Sequence, residues 1–274
     1  MTIENISINI LTQPLVTQLI ADADVLRLTI DYLDNGCRIV DAALGGLEAG
    51  RRLVEIALGG LGKVNLDSHL RLQTTAPALA CAASQFPNWT LHYNKGKTHF
   101  HGYGCGAAQV LAKKSPILKH LNYQDRAGKA ALIVLADHIP PLDLSDQIAE
   151  ICAVEPDELT LIIVPPHSVA GMILLLSQAL ALTVRQSQAG WELTDATMVI
   201  PLSAAGGKHS IERAMTHILQ FADVALWTNA DPKTILKHLK DRPTLPDKLD
   251  LATLILMPAK VTIFAQGESF ILTK

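Results

Sequence analysis

The sequence predicts an α/β (α+β) fold, and three observations carry that expectation. Two continuous apolar runs, residues 130–135 and 159–164, read as strands buried on both faces, with a segment of helical periodicity between them. Asn35-Gly36 separates two further strand-like runs, 25–33 and 38–43, and is a strong hairpin signal. Aliphatic residues dominate while Phe, Trp and Tyr make up only 4% of the 274 residues. A chain of this length and composition can bury a sizeable core of Ala, Leu, Val and Ile without staples.

The elements follow in order. Pro14 opens a helix that places Leu15, Val16, Leu19, Ile20 and Ala23 on one face. After the 35–36 hairpin, Gly45-Gly46 precedes a helix over 47–58, which Gly59, Gly60 and Gly62 end. Short strands continue through Thr75, and Pro77 starts a small-residue helix to Gln85. Strands are expected near 90–93 and 98–101, then a helix over 105–113. Leu144, Ile148 and Ile151 mark the helix between the two buried strands. Residues 169–184 form the most apolar stretch; it holds Ser177 and Gln178, follows Pro165-Pro166, and falls short of the roughly 20 residues of a membrane span. It reads as a buried helix. Ser210 is placed as the N-cap of a helix carrying Ile211, Ala214, Met215 and Ile218. Residues 239–250, rich in Lys, Asp and Pro, read as a surface linker, and 260–265 with 269–273 as a closing hairpin.

Composition excludes several classes of function. A net charge of −3 provides no broad basic field for nucleic acid or anionic lipid. Cys37, Cys81, Cys105 and Cys152 include no Cys-x-x-Cys pair, so a metal knuckle or disulfide framework is not expected and the thiols read as small apolar groups. The first ten residues lack a basic region followed by an apolar one, so a cytoplasmic protein is expected. Ala-Leu-Gly-Gly-Leu occurs at 43–47 and 57–61, but two copies make no repeat architecture, and no nucleotide-binding glycine loop is present.

An ordered set of segments then narrows the class. Asn35-Gly-Cys-Arg-Ile-Val-Asp-Ala42, Gly46-Leu-Glu-Ala-Gly50 and Leu58-Gly-Gly-Leu-Gly62 are followed by Ala76-Pro-Ala-Leu-Ala-Cys-Ala-Ala-Ser-Gln85 and Asn88-Trp89. Leu121-Asn-Tyr-Gln-Asp125, Cys152-Ala-Val-Glu-Pro156, Ser168-Val-Ala-Gly171 and Pro258-Ala-Lys-Val-Thr262 complete the set. In this order and over nearly the whole chain, they resemble the methenyltetrahydromethanopterin cyclohydrolase family. The resemblance implies a two-domain α/β fold, residues 1–90 plus 251–274 and residues 91–250, with a pterin held in the cleft between them. It also implies a homo-oligomer, a trimer by resemblance, and a tetrahydromethanopterin derivative as substrate or ligand with no further cofactor.

Cyclohydrolysis adds water to a cationic methenyl bridge and then opens one carbon–nitrogen bond, which needs a group to orient or deprotonate water and a polar partner to manage charge. The resemblance implies an Arg and a Glu one helical turn apart, after the Ser-x-x-Gly segment. Counting from Ser168 and Gly171, these positions hold Gln178 and Ala181. A second family Arg, in a Ser-Gly-Pro-Ala-Arg-Ala-Leu run, falls on Gln109 of Cys105-Gly-Ala-Ala-Gln-Val-Leu111. A Leu-Glu pair becomes Leu135-Ala136, and an Asn-Asp pair gives way to residues near Leu219 and Gln220.

The remaining candidates each carry two readings. Glu48 is a ligand contact or a helix-start carboxylate satisfied by the dipole. Ser84 and Gln85 suit a pterin edge or a helix end; Gln109, Ser168 and Gln178 join them as expected binding residues. His167, beside Ser168, is a cleft residue or an idle loop histidine. Lys208 and His209 face an anionic tail or solvent. His99 and His101 share a strand face with Cys105 nearby, but no third ligand adjoins them in sequence, so no metal is expected. The leading expectation is a cyclohydrolase-like, pterin-binding protein without efficient hydrolysis. The alternatives are an active cyclohydrolase using Gln178 and His167, and a non-enzymatic subunit that assembles with another pathway protein.

Overall fold

Twelve strands fall into two six-stranded sheets in the computed structural model, which describes residues 7–121, 123–187, 193–202, 210–235 and 258–273. Helix α1 (Ile8–Ala21) begins earlier than Pro14, because Ser7 caps it: its Oγ accepts from the Ile10 N–H at 3.1 Å. Pro14 therefore lies inside the helix. The carbonyl it leaves without a donor belongs to Ile10, which is 62% exposed and can meet water.

The expected strand 25–33 is shortened by a helical turn, α2 (Ala23–Leu26). Arg27 closes that turn at φ 60°, and the Leu28 N–H returns to the Ala23 carbonyl at 2.8 Å, a left-handed helix end. Only then does β1 (Thr29–Tyr32) start, pairing antiparallel with β2 (Arg38–Asp41) as the Asn35-Gly36 signal predicts. Gly36 takes φ 86° in the connecting loop, where the Asn35 side chain accepts from the Cys37 N–H.

Next come α3 (Leu47–Ala57), β3 (Gly62–Leu66), β4 (His69–Thr74) and α4 (Pro77–Ser84), then the hairpin β5 (Thr90–Lys95) and β6 (Thr98–Cys105). Strand β6 runs four residues past its expected end. Gly102 and Gly104 permit this, since a Cβ at 102 would stand 3.1 Å from both the Ala136 Cβ and the Leu135 carbonyl. The helix expected from Cys105 accordingly starts later, as α5 (Ala107–Leu111), with α6 (Leu118–Leu121) after it.

Strands β7 (Ala130–Leu135) and β8 (Leu159–Val164) bury all twelve of their residues, matching a sequence that is apolar except for Thr160. Between them runs α7 (Leu142–Cys152). The first sheet has the order β1-β2-β8-β7-β6-β5, with a parallel centre of β2, β8 and β7.

The second sheet is β12-β11-β10-β9-β4-β3. It takes β9 (Leu193–Pro201), β10 (Asp223–Thr228) and the closing hairpin β11 (Lys260–Ala265) and β12 (Glu268–Thr273). Helix α9 (Ser210–Phe221) precedes β10. Each sheet draws strands both from residues 1–90 with 251–274 and from 91–250. The segment 239–250, read as a linker, lies outside the described residues.

Helix α8 (Val169–Ser187) joins the halves. It is buried from Ala170 to Val184 and belongs to an apolar core containing Val40 and Ile133 of the first sheet together with Leu72 and Met198 of the second. A Cβ on Gly50 of α3 would fall 2.8 Å from the Ile173 Cβ, so this glycine sets how closely α3 approaches α8. No helix among the described residues is long and apolar enough to cross a membrane.

Candidate functional site

The C-terminal end of α4 gathers most of the expected site residues. The last carbonyls of any α-helix lack intrahelical donors and need partners from elsewhere. Here two glutamines supply them. Gln178 of α8 donates Nε2 to the Ser84 carbonyl at 3.0 Å, while its Oε1 accepts from the Phe86 N–H at 3.4 Å. Gln109 of α5 donates Nε2 to the carbonyls of Ala82 at 2.8 Å and Ala83 at 3.0 Å. The Gly106 N–H also reaches the Ala83 carbonyl at 2.8 Å.

Gln85 completes the cross-link in the other direction. Its Nε2 donates to the Ala181 carbonyl at 2.8 Å, and its Oε1 accepts from Asn88, whose amide also reaches the Ser115 hydroxyl. All three glutamines are buried, Gln178 at 3% exposure and Gln85 and Gln109 at 0%. The Ala181 methyl is buried in the apolar core. Ser84 Oγ and Gln109 Oε1 are buried without a hydrogen-bond partner among the described residues, each costing about 1–3 kcal/mol unless something pairs with it.

The other candidates stand apart from this cluster. Ser168 caps α8: its Oγ accepts from the Gly171 N–H at 2.9 Å and donates to the Pro165 carbonyl at 2.8 Å. Gly171 is required because a Cβ there would meet the same carbonyl at 2.2 Å, so the Ser-x-x-Gly segment has a structural explanation. His167 is exposed and its Nδ1 lies 3.1 Å from Asp137 Oδ1.

Glu48 sits in the first turn of α3, where both carboxylate oxygens are taken by Arg51 and one also by Arg52, at 2.7–2.9 Å. Arg52 in turn pairs with Asp22. Hydrogen bonds from Arg51 above all hold the Glu48 carboxyl down to about 2. Ala136 is buried beside Gly102, and Leu219 packs with Leu182 and Met215. Lys208 and His209 lie outside the described residues.

Residues 7–242 match the family model described as cyclohydrolase (MCH). The chain belongs to this family. It is 36% identical over 192 residues to a methenyltetrahydromethanopterin cyclohydrolase of Methylobacillus flagellatus, covering 66% of this chain and 58% of that one. A protein of the same name from Xanthobacter autotrophicus is 37% identical over 196 residues, covering 67% and 57%. One from Methanothermobacter marburgensis is 30% identical over 183 residues, covering 61% and 56%. The chain thus spans less than three fifths of the length of these cyclohydrolases.

Within this cyclohydrolase-family chain, the two positions that the sequence resemblance matches to arginine, Gln109 and Gln178, converge on one helix end. An amide there caps carbonyls without bringing a charge. Two partners escaped the sequence reading. Asp137 follows the C-terminal end of β7, where ligand-side residues of a parallel sheet collect, and that position was the available signal. Asn88 lies in a retained segment, but nothing in its spacing forecasts the bond to Gln85.

Proposed function

We propose that this cyclohydrolase-family chain binds a tetrahydromethanopterin derivative in one-carbon metabolism and does not hydrolyse a methenyl bridge efficiently. The observation that carries the reading is Gln178. Both ends of its amide are committed to the backbone around the end of α4, and it has no basic group to draw a proton from water. Ala181, one turn on, contributes only a buried methyl. Retained binding is supported by membership of the family; Ser84 Oγ and Gln109 Oε1, buried and without a partner among the described residues, would meet a pterin edge only where the packing around the end of α4 opens. The reading includes a cytoplasmic homo-oligomer, a trimer by family resemblance, and no cofactor beyond the pterin itself.

An active cyclohydrolase is the second reading, favoured by the shared name of the three relatives. That reading draws on Gln178, buried within α8, and on His167, exposed just ahead of it.

Purified protein mixed with methenyltetrahydromethanopterin tests both readings, with absorbance following ring opening and calorimetry following binding. Binding with turnover about a thousandfold below that of a relative is expected, the order of loss that follows removal of a charge-stabilising group. Comparable turnover would overturn the reading in favour of an active enzyme. Absence of binding would overturn it in favour of a subunit that keeps the fold to assemble with another pathway protein.

A further inference from the structure

The His99-x-His101 pair acquires a third imidazole from strand register. His92 on β5 is directly opposite His101 on β6, so both side chains leave the hairpin on one face. Alternation along β6 puts His99 on that face too. All three residues are exposed, and they line a single cavity of about 320 Å³ together with Phe100, Asp137 and His138. The His92 and His101 rings stand 6.4 Å apart between centroids, at 69° to each other.

We infer that this face binds a divalent transition-metal ion through His92, His99 and His101. Imidazole nitrogen suits zinc, copper and nickel, whereas magnesium and calcium want oxygen ligands. Zinc–nitrogen bonds of about 2.0–2.1 Å bring two ligating rings to centroid separations of roughly 5–6 Å. The His92–His101 separation therefore needs to close by about 1 Å.

As the rings stand, no three described His, Cys, Asp or Glu groups converge on one ion. The site therefore requires rotation about χ1 and χ2, and no hydrogen bond among the described residues holds these three rings back. His101 rests edge-on against Tyr103, with centroids 5.1 Å apart, so His92 and His99 are the rings that turn. Three protein ligands leave a fourth position to water, with Asp137 and His138 at the rim. The inference is independent of pterin binding.

Titration of the untagged full chain with Zn²⁺ by calorimetry tests it. One saturable ion per chain with a Kd below roughly 100 μM is expected, and no heat with Mg²⁺. His92→Ala, His99→Ala and His101→Ala should each weaken zinc by about tenfold or more, while His120→Ala, outside the cavity, should not. Circular dichroism confirms that these exposed substitutions leave the fold intact. Weaker zinc binding by the parent chain, Mg²⁺ binding of equal strength, or binding that survives H92A/H101A would each overturn the inference.

Discussion

Gln178 donates its side-chain amide to the carbonyl of Ser84, a residue 94 positions earlier, at 3.0 Å. The bond fastens the central helix α8 to the end of α4, and the Phe86 N–H completes it from the other side. Gln178→Ala should therefore cost about 2 kcal/mol of stability, because it leaves a buried donor and a buried acceptor unpaired. Urea unfolding measures the loss. A substitution that left stability unchanged would show that the amide does not hold these helices.

On the proposed reading, placing an Arg/Glu pair at positions 178 and 181 should raise turnover. Gln178→Arg together with Ala181→Glu is expected to raise turnover of methenyltetrahydromethanopterin by about tenfold or more. Ala181→Glu alone puts a carboxylate where the residue is 1% exposed, so it should be less stable than the double variant, in which Arg can pair with it. Turnover assays and thermal melts on the three proteins check both statements.

Glu48 gives an acid-dependent contribution. Its carboxyl is held down to about 2, first by hydrogen bonding to Arg51, so the folded state binds its proton less readily than the unfolded chain, where a glutamate titrates near about 4.3. The stabilisation is present above pH ~4.3 and is lost as pH falls toward ~2. The side chain is 50% exposed, and solvent screening keeps the effect below about 1 kcal/mol. Glu48→Gln should thus be slightly less stable than the parent at neutral pH, with the difference vanishing near pH ~2 in an acid-unfolding comparison.

All four thiols should resist reagents in the native protein. Burial pushes Cys37 and Cys152 up to about 12, and Cys81 and Cys105 also upward, so little thiolate forms at neutral pH. Ellman's reagent should read almost no thiol before denaturation and four after it.

Gly171→Ala tests the approach between the start of α8 and the Pro165 carbonyl. A contact of 2.2 Å must be relieved by backbone movement, so a loss of about 2 kcal/mol is expected, read by urea unfolding.

How far these features could be read from sequence depends on the kind of signal. Strands β7 and β8 were legible because short, β-branched-rich runs, apolar throughout in β7 and except for Thr160 in β8, suit a sheet position covered on both faces. Helix α3 was legible from its glycine punctuation. The start of α1 was not, since Pro14 is a stronger local mark than the Ser7 cap that sets the boundary. Strand β6 was cut short because Gly102 and Gly104 have low strand propensity, and only the proximity of Leu135 and Leu132 explains them. Among candidate residues, Gln109 and Gln178 stand out in the sequence only as positions that the resemblance matches to arginine. Their shared attachment to α4 was not legible, because an amide's sequence context does not say which backbone carbonyl it will meet. The alignment of His92 with His101 likewise required the β5–β6 register.

The interleaving of the two sheets also sets an order of assembly during synthesis. Every strand of the first sheet lies within residues 29–164, so that sheet can close while the remainder of the chain is still being made. The β3–β4 hairpin belongs to the other sheet, and its partner β9 begins at Leu193, with Leu70 finally pairing with Ile200. During the interval β4 presents a row of unanswered backbone donors and acceptors to whatever surrounds the ribosome. Slowed translation between residues 74 and 193 should lengthen that exposure and raise the demand for chaperones, while leaving the finished molecule unchanged.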